Sequence, residues 1–154
     1  MGGILFIDEA YSLYEGENDK VGKEIVDTLI KGIEDNRKNL IVILAGYEKD
    51  IEDFLSVNQG LKSRFPNIIH FEDYTPEEMY KIAIQIARSK GYRISKNVKN
   101  DLIDLFTRNQ LIGKNDLGNA RFVRNIIENA IIYSSRKYLN YKKSEIDLLE
   151  REDF

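Results

Sequence analysis

Gly2-Gly3-Ile4-Leu5-Phe6-Ile7-Asp8-Glu9 opens the chain with an apolar run that ends in two adjacent carboxylates. A continuous apolar run of this length predicts a strand buried on both faces, as in a parallel sheet. Downstream, the polar, glycine-containing stretch Tyr14 to Asp19 leads to Ile25, Val26, Leu29, Ile30 and Ile33, which share one helical face closing near Asn36. Leu40-Ile41-Val42-Ile43-Leu44-Ala45 then predicts a second buried strand, ended by Gly46. Strand, helix, strand makes a βαβ unit, whose crossover is expected to be right-handed.

Beyond it the pattern predicts a short helix around Ile51, Phe54 and Leu55, a loop from Asn58 to Pro66, and a third strand over Asn67 to Phe71. From Thr75 onward only helical patterns remain. Thr75-Pro76-Glu77-Glu78 combines an N-cap hydroxyl, a first-turn proline and a glutamate placed for a capping box, and Gly91 ends that helix. Its apolar face is Met79, Ile82, Ala83 and Ile86. A second helix from about Asn97 directs Leu102, Leu105 and Phe106 inward. The third, from about Gly118 to Tyr138, buries Ala120, Val123, Ile127, Ala130 and Ile131, and Ser144 to Asp147 suggests a final capped turn. The expected architecture is therefore an α/β part with a partial parallel sheet of about three strands over residues 1–74, then an all-helical part over 75–154.

Composition narrows the chemistry. The 154 residues are 42% hydrophobic and 32% charged, with a formal net charge of -3. That balance argues against bulk attraction to nucleic acid or to an anionic membrane surface. No apolar run approaches the roughly 20 residues of a membrane span, and no secretory leader is visible, so a cytoplasmic protein is expected. There are no cysteines and one histidine, which excludes disulfides, thiolate metal sites and thiol nucleophiles and makes zinc improbable. His70 falls in the third strand pattern and reads as packed or exposed rather than catalytic. The basic cluster Arg136 to Lys143 reads as a solvated helix end, where cations complement the dipole.

Asp8 and Glu9, placed at the carboxyl edge of a parallel sheet, stand where open α/β folds bind ligands. Two adjacent acids can divide labour, one holding a hydrated divalent cation on a nucleotide, the other orienting or deprotonating water. Acids at strand ends are also common surface residues, so this pair alone does not decide the chemistry.

The wider pattern does more. Gly2-Gly3-Ile4-Leu5-Phe6-Ile7-Asp8-Glu9-Ala10-Tyr11-Ser12-Leu13, with Leu44-Ala45-Gly46-Tyr47 and Gly60-Leu61-Lys62-Ser63-Arg64-Phe65, resembles the AAA+ ATPase family, in the branch that includes CbbX and stage V sporulation protein K. The likeness runs from Gly2 to about Tyr138. It implies a Walker B role for Asp8, holding Mg²⁺ through water, and for Glu9, activating the hydrolytic water of ATP. Arg64 takes the arginine-finger place, acting on the nucleotide of a neighbouring subunit, commonly in a hexameric ring. A guanidinium suits this because a planar, permanently charged fork meets two phosphate oxygens at once. Arg121 takes the sensor 2 place. A cation in a helix's first turn opposes the dipole by roughly 0.3–1 kcal/mol unless an anion lies nearby. Arg124 is an alternative contact, or a partner for Glu128, and Tyr47 is the candidate for sensor 1. Tyr14, in the loop after Walker B, is a candidate contact for a polypeptide substrate.

One element of the family is not found. A phosphate loop needs Gly-x-x-x-x-Gly-Lys-Ser/Thr; Gly22-Lys23 is followed by Glu24, and Gly113-Lys114 by Asn115. The resemblance therefore implies that the phosphate loop, first pore loop and first two strands lie upstream, and that these residues alone do not hydrolyse ATP. It also places the absent first strand between those at Leu40 and Asn67. The expectation is a compromised α/β part, or a third strand collapsed onto the second. The rival reading is a non-enzymatic interaction module; the parent in the leading one is an ATP-driven ring that remodels a protein substrate and binds neither nucleic acid nor membrane.

Overall fold

Gly3–Ile7 forms strand β1 and Leu40–Leu44 forms β2, paired in parallel with Ile4 opposite Ile41 and Phe6 opposite Ile43. The computed structural model describes residues 2–111, 118–140 and 147–154, the last three of the middle span by backbone alone. It divides into two units, Met1–Phe71 and Glu72–Phe154.

In the first unit a 3-10 turn, Ala10–Leu13, follows β1, and helix α1 spans Lys20–Asp35. Asp19 caps α1 by accepting the Gly22 N–H at 2.8 Å, which satisfies a donor that the first helical turn leaves open. After β2 come α2, Glu48–Ser56, and α3, Gln59–Arg64. The core gathers Ala10, Val26, Phe54, Leu55 and Leu61. Residues 59–64, expected as loop, are helical because the Asn58 side chain caps the Gly60 N–H at 2.7 Å and Leu61 plugs fully into the core.

Two expectations for this unit are corrected. The strands are covered on one face only. Leu40, Val42 and Leu44 are half-buried, whereas Ile4, Phe6, Ile41 and Ile43 are exposed, Ile4 to 68%. Ile25 on α1 is likewise exposed. A two-stranded sheet with α1 on one side has nothing here to shield the other. Residues 67–71 form no strand, and Phe71 is 92% exposed. An extended segment becomes a strand only by pairing, and residues 67–71 pair with neither free edge of the two-stranded sheet. The predicted collapse onto β2 does not occur either.

The second unit is built on α4, Pro76–Ser89, α5, Lys99–Leu111, and α6, Asn119–Asn140. The capping box on α4 forms as expected: Thr75 Oγ1 accepts the Glu78 N–H at 3.3 Å, and Glu78 Oε2 accepts the Thr75 N–H at 2.9 Å. Met79, Ala83 and Ala87 of α4 meet Leu102 and Phe106 of α5 and Val123, Ile127 and Ala130 of α6. Phe106 and Phe122 pack edge to face, with ring centroids 6.2 Å apart. Leu105, expected inward, lies on the exposed side of α5.

This unit is not purely helical. Arg93–Ile94, β3, pairs in parallel with Leu148–Leu149, β4. Leu149 is fully buried in the helical core, and Arg93 clamps Asp147 at 2.9 Å. Downstream, Arg151 reaches Asp101 at 2.9 Å and Lys137 reaches the buried Asp153 at 3.2 Å. Two-residue strands leave no period to read, which is why the pattern missed them. Tyr141 to Lys143 of the basic cluster, Gly113-Lys114-Asn115 and the turn over 144–146 lie outside the described residues.

Candidate active site

β1 ends at Ile7, so the parallel pairing delivers Asp8 and Glu9 to the carboxyl edge of the sheet. Backbone bonds continue past the last registered pair: the Ala45 N–H donates to Ile7 O at 2.9 Å and the Ala10 N–H to Ala45 O at 3.1 Å. Asp8 and Glu9 are thus held between two fixed points, and both are exposed. Asp8 Oδ1 accepts the Glu9 N–H at 3.1 Å.

Glu9 has φ 48° and ψ 47°, the sole non-glycine residue with positive φ among the described residues. Left-handed backbone costs a side-chain-bearing residue roughly 1–2 kcal/mol. Strain of this kind concentrates at functional positions, because only the surrounding structure holds it in place.

The structure adds a residue that sequence reasoning did not single out. Tyr11, half-buried in the 3-10 turn, lies close enough to Glu9 for the carboxylate to act on its phenol. Burial, then the charges of Glu9 and Asp50, push that phenol above its ordinary pKa. Gly46 leaves room for the ring. No spacing marks it in the sequence, because its approach to Glu9 follows from the left-handed backbone at Glu9.

Tyr47 stands as N-cap of α2, two residues after Ala45, with its side chain 54% exposed. Arg64 closes α3 in a different part of the unit. Its Nη1 donates to Gly60 O at 2.9 Å and its Nη2 to Glu34 Oε2 at 3.0 Å. Glu34 is at the end of α1 opposite Gly22, whose turn adjoins Leu13. Twelve residues of helix separate Gly22 and Glu34, about 18 Å at 1.5 Å each. Asp8 and Glu9 are therefore grouped, while Arg64 is held a helix length from the turn that follows them.

Arg121 is exposed in the first turn of α6 in the second unit, just after Gly118 at φ +47°. Among the described residues neither it nor Arg124 has an ion partner. Glu128, weighed as a partner for Arg124, instead pairs with Lys90 of α4 at 3.1 Å, because facing helices bring the lysine closer than the same-helix turn brings Arg124.

Tyr14 is half-buried and lines a hollow of about 470 Å³ with Glu17, Lys23, Asp27 and Asn58. Asp19 ties that loop by accepting from the Gly22 and Glu15 N–H groups, which hold its carboxyl below the ordinary value. His70 is exposed, with Nδ1 3.2 Å from Glu48 Oε1. Among the described residues no helix is long and apolar enough to cross a membrane.

Comparison with known proteins matches both parts of the chain to one family. Residues 2–73 match the ATPase family associated with various cellular activities (AAA), and residues 75–154 match the AAA lid domain. Stage V sporulation protein K of Bacillus subtilis is 41% identical over 157 residues, covering 99% of this chain and 49% of that protein. A CfxQ homolog of Galdieria sulphuraria is 36% identical over 159 residues, covering 99% and 52%. ESX-1 secretion system protein EccA1 of Mycolicibacterium smegmatis is 39% identical over 137 residues, covering 83% and 24%. The chain spans about half or less of the length of these relatives. With an AAA core match running through the β1 carboxylates and a lid match over the three-helix unit, the chain belongs to the AAA ATPase family.

Proposed function

We propose that this chain supplies the Walker B acids, the arginine finger and the lid of an ATP-hydrolysing ring subunit that remodels a protein substrate in the cytoplasm. The observation that carries the reading is the Asp8–Glu9 pair at the carboxyl edge of parallel strands, with Glu9 held in left-handed backbone. In it, residues 1–74 form part of the AAA core and 75–154 the lid. Glu9 positions and deprotonates the attacking water, beside the half-buried Tyr11 phenol whose pKa its charge raises. Asp8, exposed and acceptor-only, fits a hydrated Mg²⁺, which keeps most of its waters and needs few protein oxygens. When bound, that ion neutralises phosphate charge. Tyr47 is assigned the sensor 1 place and Arg121 a phosphate contact.

The helix length between Arg64 and the turn after Glu9 supports an action of Arg64 in trans, on a neighbour's nucleotide, and hence assembly. The exposed Ile4, Phe6, Ile41 and Ile43 support a larger core that shields this face. On this reading the phosphate loop comes from chain preceding Gly2, and residues 2–154 alone do not turn over ATP.

Hydrolysis and nucleotide binding by this chain, beside the full gene product that contains it, test the proposal. The full product is expected to hydrolyse ATP, and Glu9→Gln to abolish turnover while nucleotide stays bound. Tight ATP binding by residues 2–154 alone, or a gene product with no phosphate loop, defeats it in favour of a non-enzymatic interaction module.

A further inference from the structure

We propose that Glu34 is a latch on Arg64, holding the guanidinium in a resting pose that it must leave to meet a phosphate on a neighbouring subunit. The inference rests on the finger reading of Arg64 and adds its regulation.

The hydrogen bonds of Arg64 carry the argument. Nη1 is committed to Gly60 O, one turn back in its own helix, and Nη2 to Glu34 Oε2, 30 residues earlier in the chain. Nε is buried and has no partner among the described residues. A guanidinium grips a phosphate through two parallel N–H bonds from one edge of its planar fork. Here the edge that includes Nε faces protein, and both terminal nitrogens are already donating. The pose suits holding and not presenting.

The hold is also built to release. Glu34 and Arg64 side chains are 48% and 26% exposed, so the pair is partly screened by water. Glu34 divides itself between two cations, because its Oε1 takes Arg37 Nη1 at 3.0 Å. When Arg64 leaves, the carboxylate keeps Arg37 and is not stranded. Release also frees the buried Nε–H, an unmade hydrogen bond that burdens the resting pose. Arg64 is the last residue of α3, where rotation of one side chain disturbs no following helical turn. Phosphate oxygens carry more charge than half of a shared carboxylate, so they win the exchange once within reach.

Steady-state ATP hydrolysis by the full gene product tests the latch, with Glu34→Gln, Glu34→Ala and Arg64→Ala measured singly and in combination. Loss of a partly exposed ion pair corresponds to about a two- to fivefold shift in population. Both Glu34 variants are therefore expected to raise kcat by about two- to fivefold, with KM for ATP unchanged, because the finger acts on the transferring phosphate. Arg64→Ala removes turnover and, combined with either variant, removes the gain. A gain cannot arise from misfolding, and a merely structural Glu34 predicts a loss. If Arg64→Ala abolishes turnover while both Glu34 variants leave kcat unchanged or lower it, the latch is wrong and the finger reading survives. If Arg64→Ala leaves turnover intact, the finger reading fails and the latch with it.

Discussion

A methyl group on Gly46 would lie 2.8 Å from Cε1 of Tyr11, so the absence of a side chain at 46 is what seats the tyrosine ring. Ile51 Cδ1, at 3.0 Å, closes the other side. Gly46→Ala must push the ring from its seat and so change its distance from the Glu9 carboxylate. We expect a cost of about 1–3 kcal/mol, typical of overpacking. The Tyr11 phenol, raised in the parent, should titrate nearer the ordinary tyrosine value in the variant. Tyrosine-selective NMR across alkaline pH checks this, and an unmoved resonance would sink the claim that Gly46 positions Tyr11.

Glu9 offers a test in which stability and activity part company. Replacing it by glycine removes the Cβ that opposes left-handed backbone, with a partial offset from the freer unfolded chain. Glu9→Gly should raise the unfolding free energy by roughly 0.5–1 kcal/mol and eliminate the carboxylate that we propose activates water. Denaturant melts of this chain read the first effect and ATP turnover of the full gene product the second. A destabilised Glu9→Gly would mean that the backbone there is not strained.

Lys137 and Asp153 join the last turn of the second unit to α6. Burial works against the lysine's charge, but the hydrogen bonds and charges of Asp153 and Glu152 outweigh it and hold its pKa above the usual lysine value. Lys137→Met keeps the stem and deletes the charge facing a buried carboxylate. Stability should fall by about 1–3 kcal/mol, and Lys137→Arg should recover part of it. Equal midpoints for Lys137→Met and the parent in urea would refute this account.

Acid should unfold the chain through a few identifiable carboxylates. Asp19 is held below its ordinary pKa by the Gly22 and Glu15 N–H groups, Glu78 by Thr75, and Asp147 by Arg93. A carboxyl with a lowered folded pKa lends stability above its unfolded value, near 4, and that stability is lost as pH falls through the folded value. Melting temperature is therefore expected to change little from pH 7 to about 5 and to decline below about 4. Glu78→Gln and Asp147→Asn should each flatten the decline, and a parent curve without acid dependence would contradict the assignment.

The exposed sheet face predicts behaviour in concentrated solution. Ile4 and Phe6 lie opposite Ile41 and Ile43, a bare apolar quartet beside unpaired strand edges. Ile4→Thr with Phe6→Thr should suppress self-association of this chain while moving its melting temperature little. Light scattering against concentration decides, and unchanged association would place the sticky surface elsewhere.

What the sequence disclosed and what it withheld divide along the range of the interactions. β1, β2 and the Thr75 capping box were legible because each is written in consecutive residues. So were Met79, Leu102, Phe106, Val123 and Ile127, which recur at helical spacing. The strand at 67–71 was misread because its apolar run reports strand capacity, not the presence of a partner edge. Leu105 and Ile25 obeyed the helical period but fell on rims that no neighbour covers. Glu34 with Arg64, Lys90 with Glu128, and Arg93 with Asp147 are pairings of distant residues for which single-sequence patterns carry no mark. At the candidate site Asp8 and Glu9 were readable from the strand that ends before them. Tyr11 was hidden in plain view, since its role depends on a backbone turn at Glu9 that no spacing rule encodes.

The two-residue pairing of β3 with β4 bears on how the protein is made. Residues 93–94 meet 148–149, and Leu149 enters a core that begins at Met79. A nascent chain leaving the ribosome thus exposes α4, α5 and α6 before the leucine that completes their core has been synthesised. Closing a loop of that size is slow relative to forming the helices themselves. The β1–β2 unit, whose partners all lie within the first 65 residues, can fold while this is pending. A ribosome stalled before Leu149 would therefore hold the three helices without the leucine that completes their core.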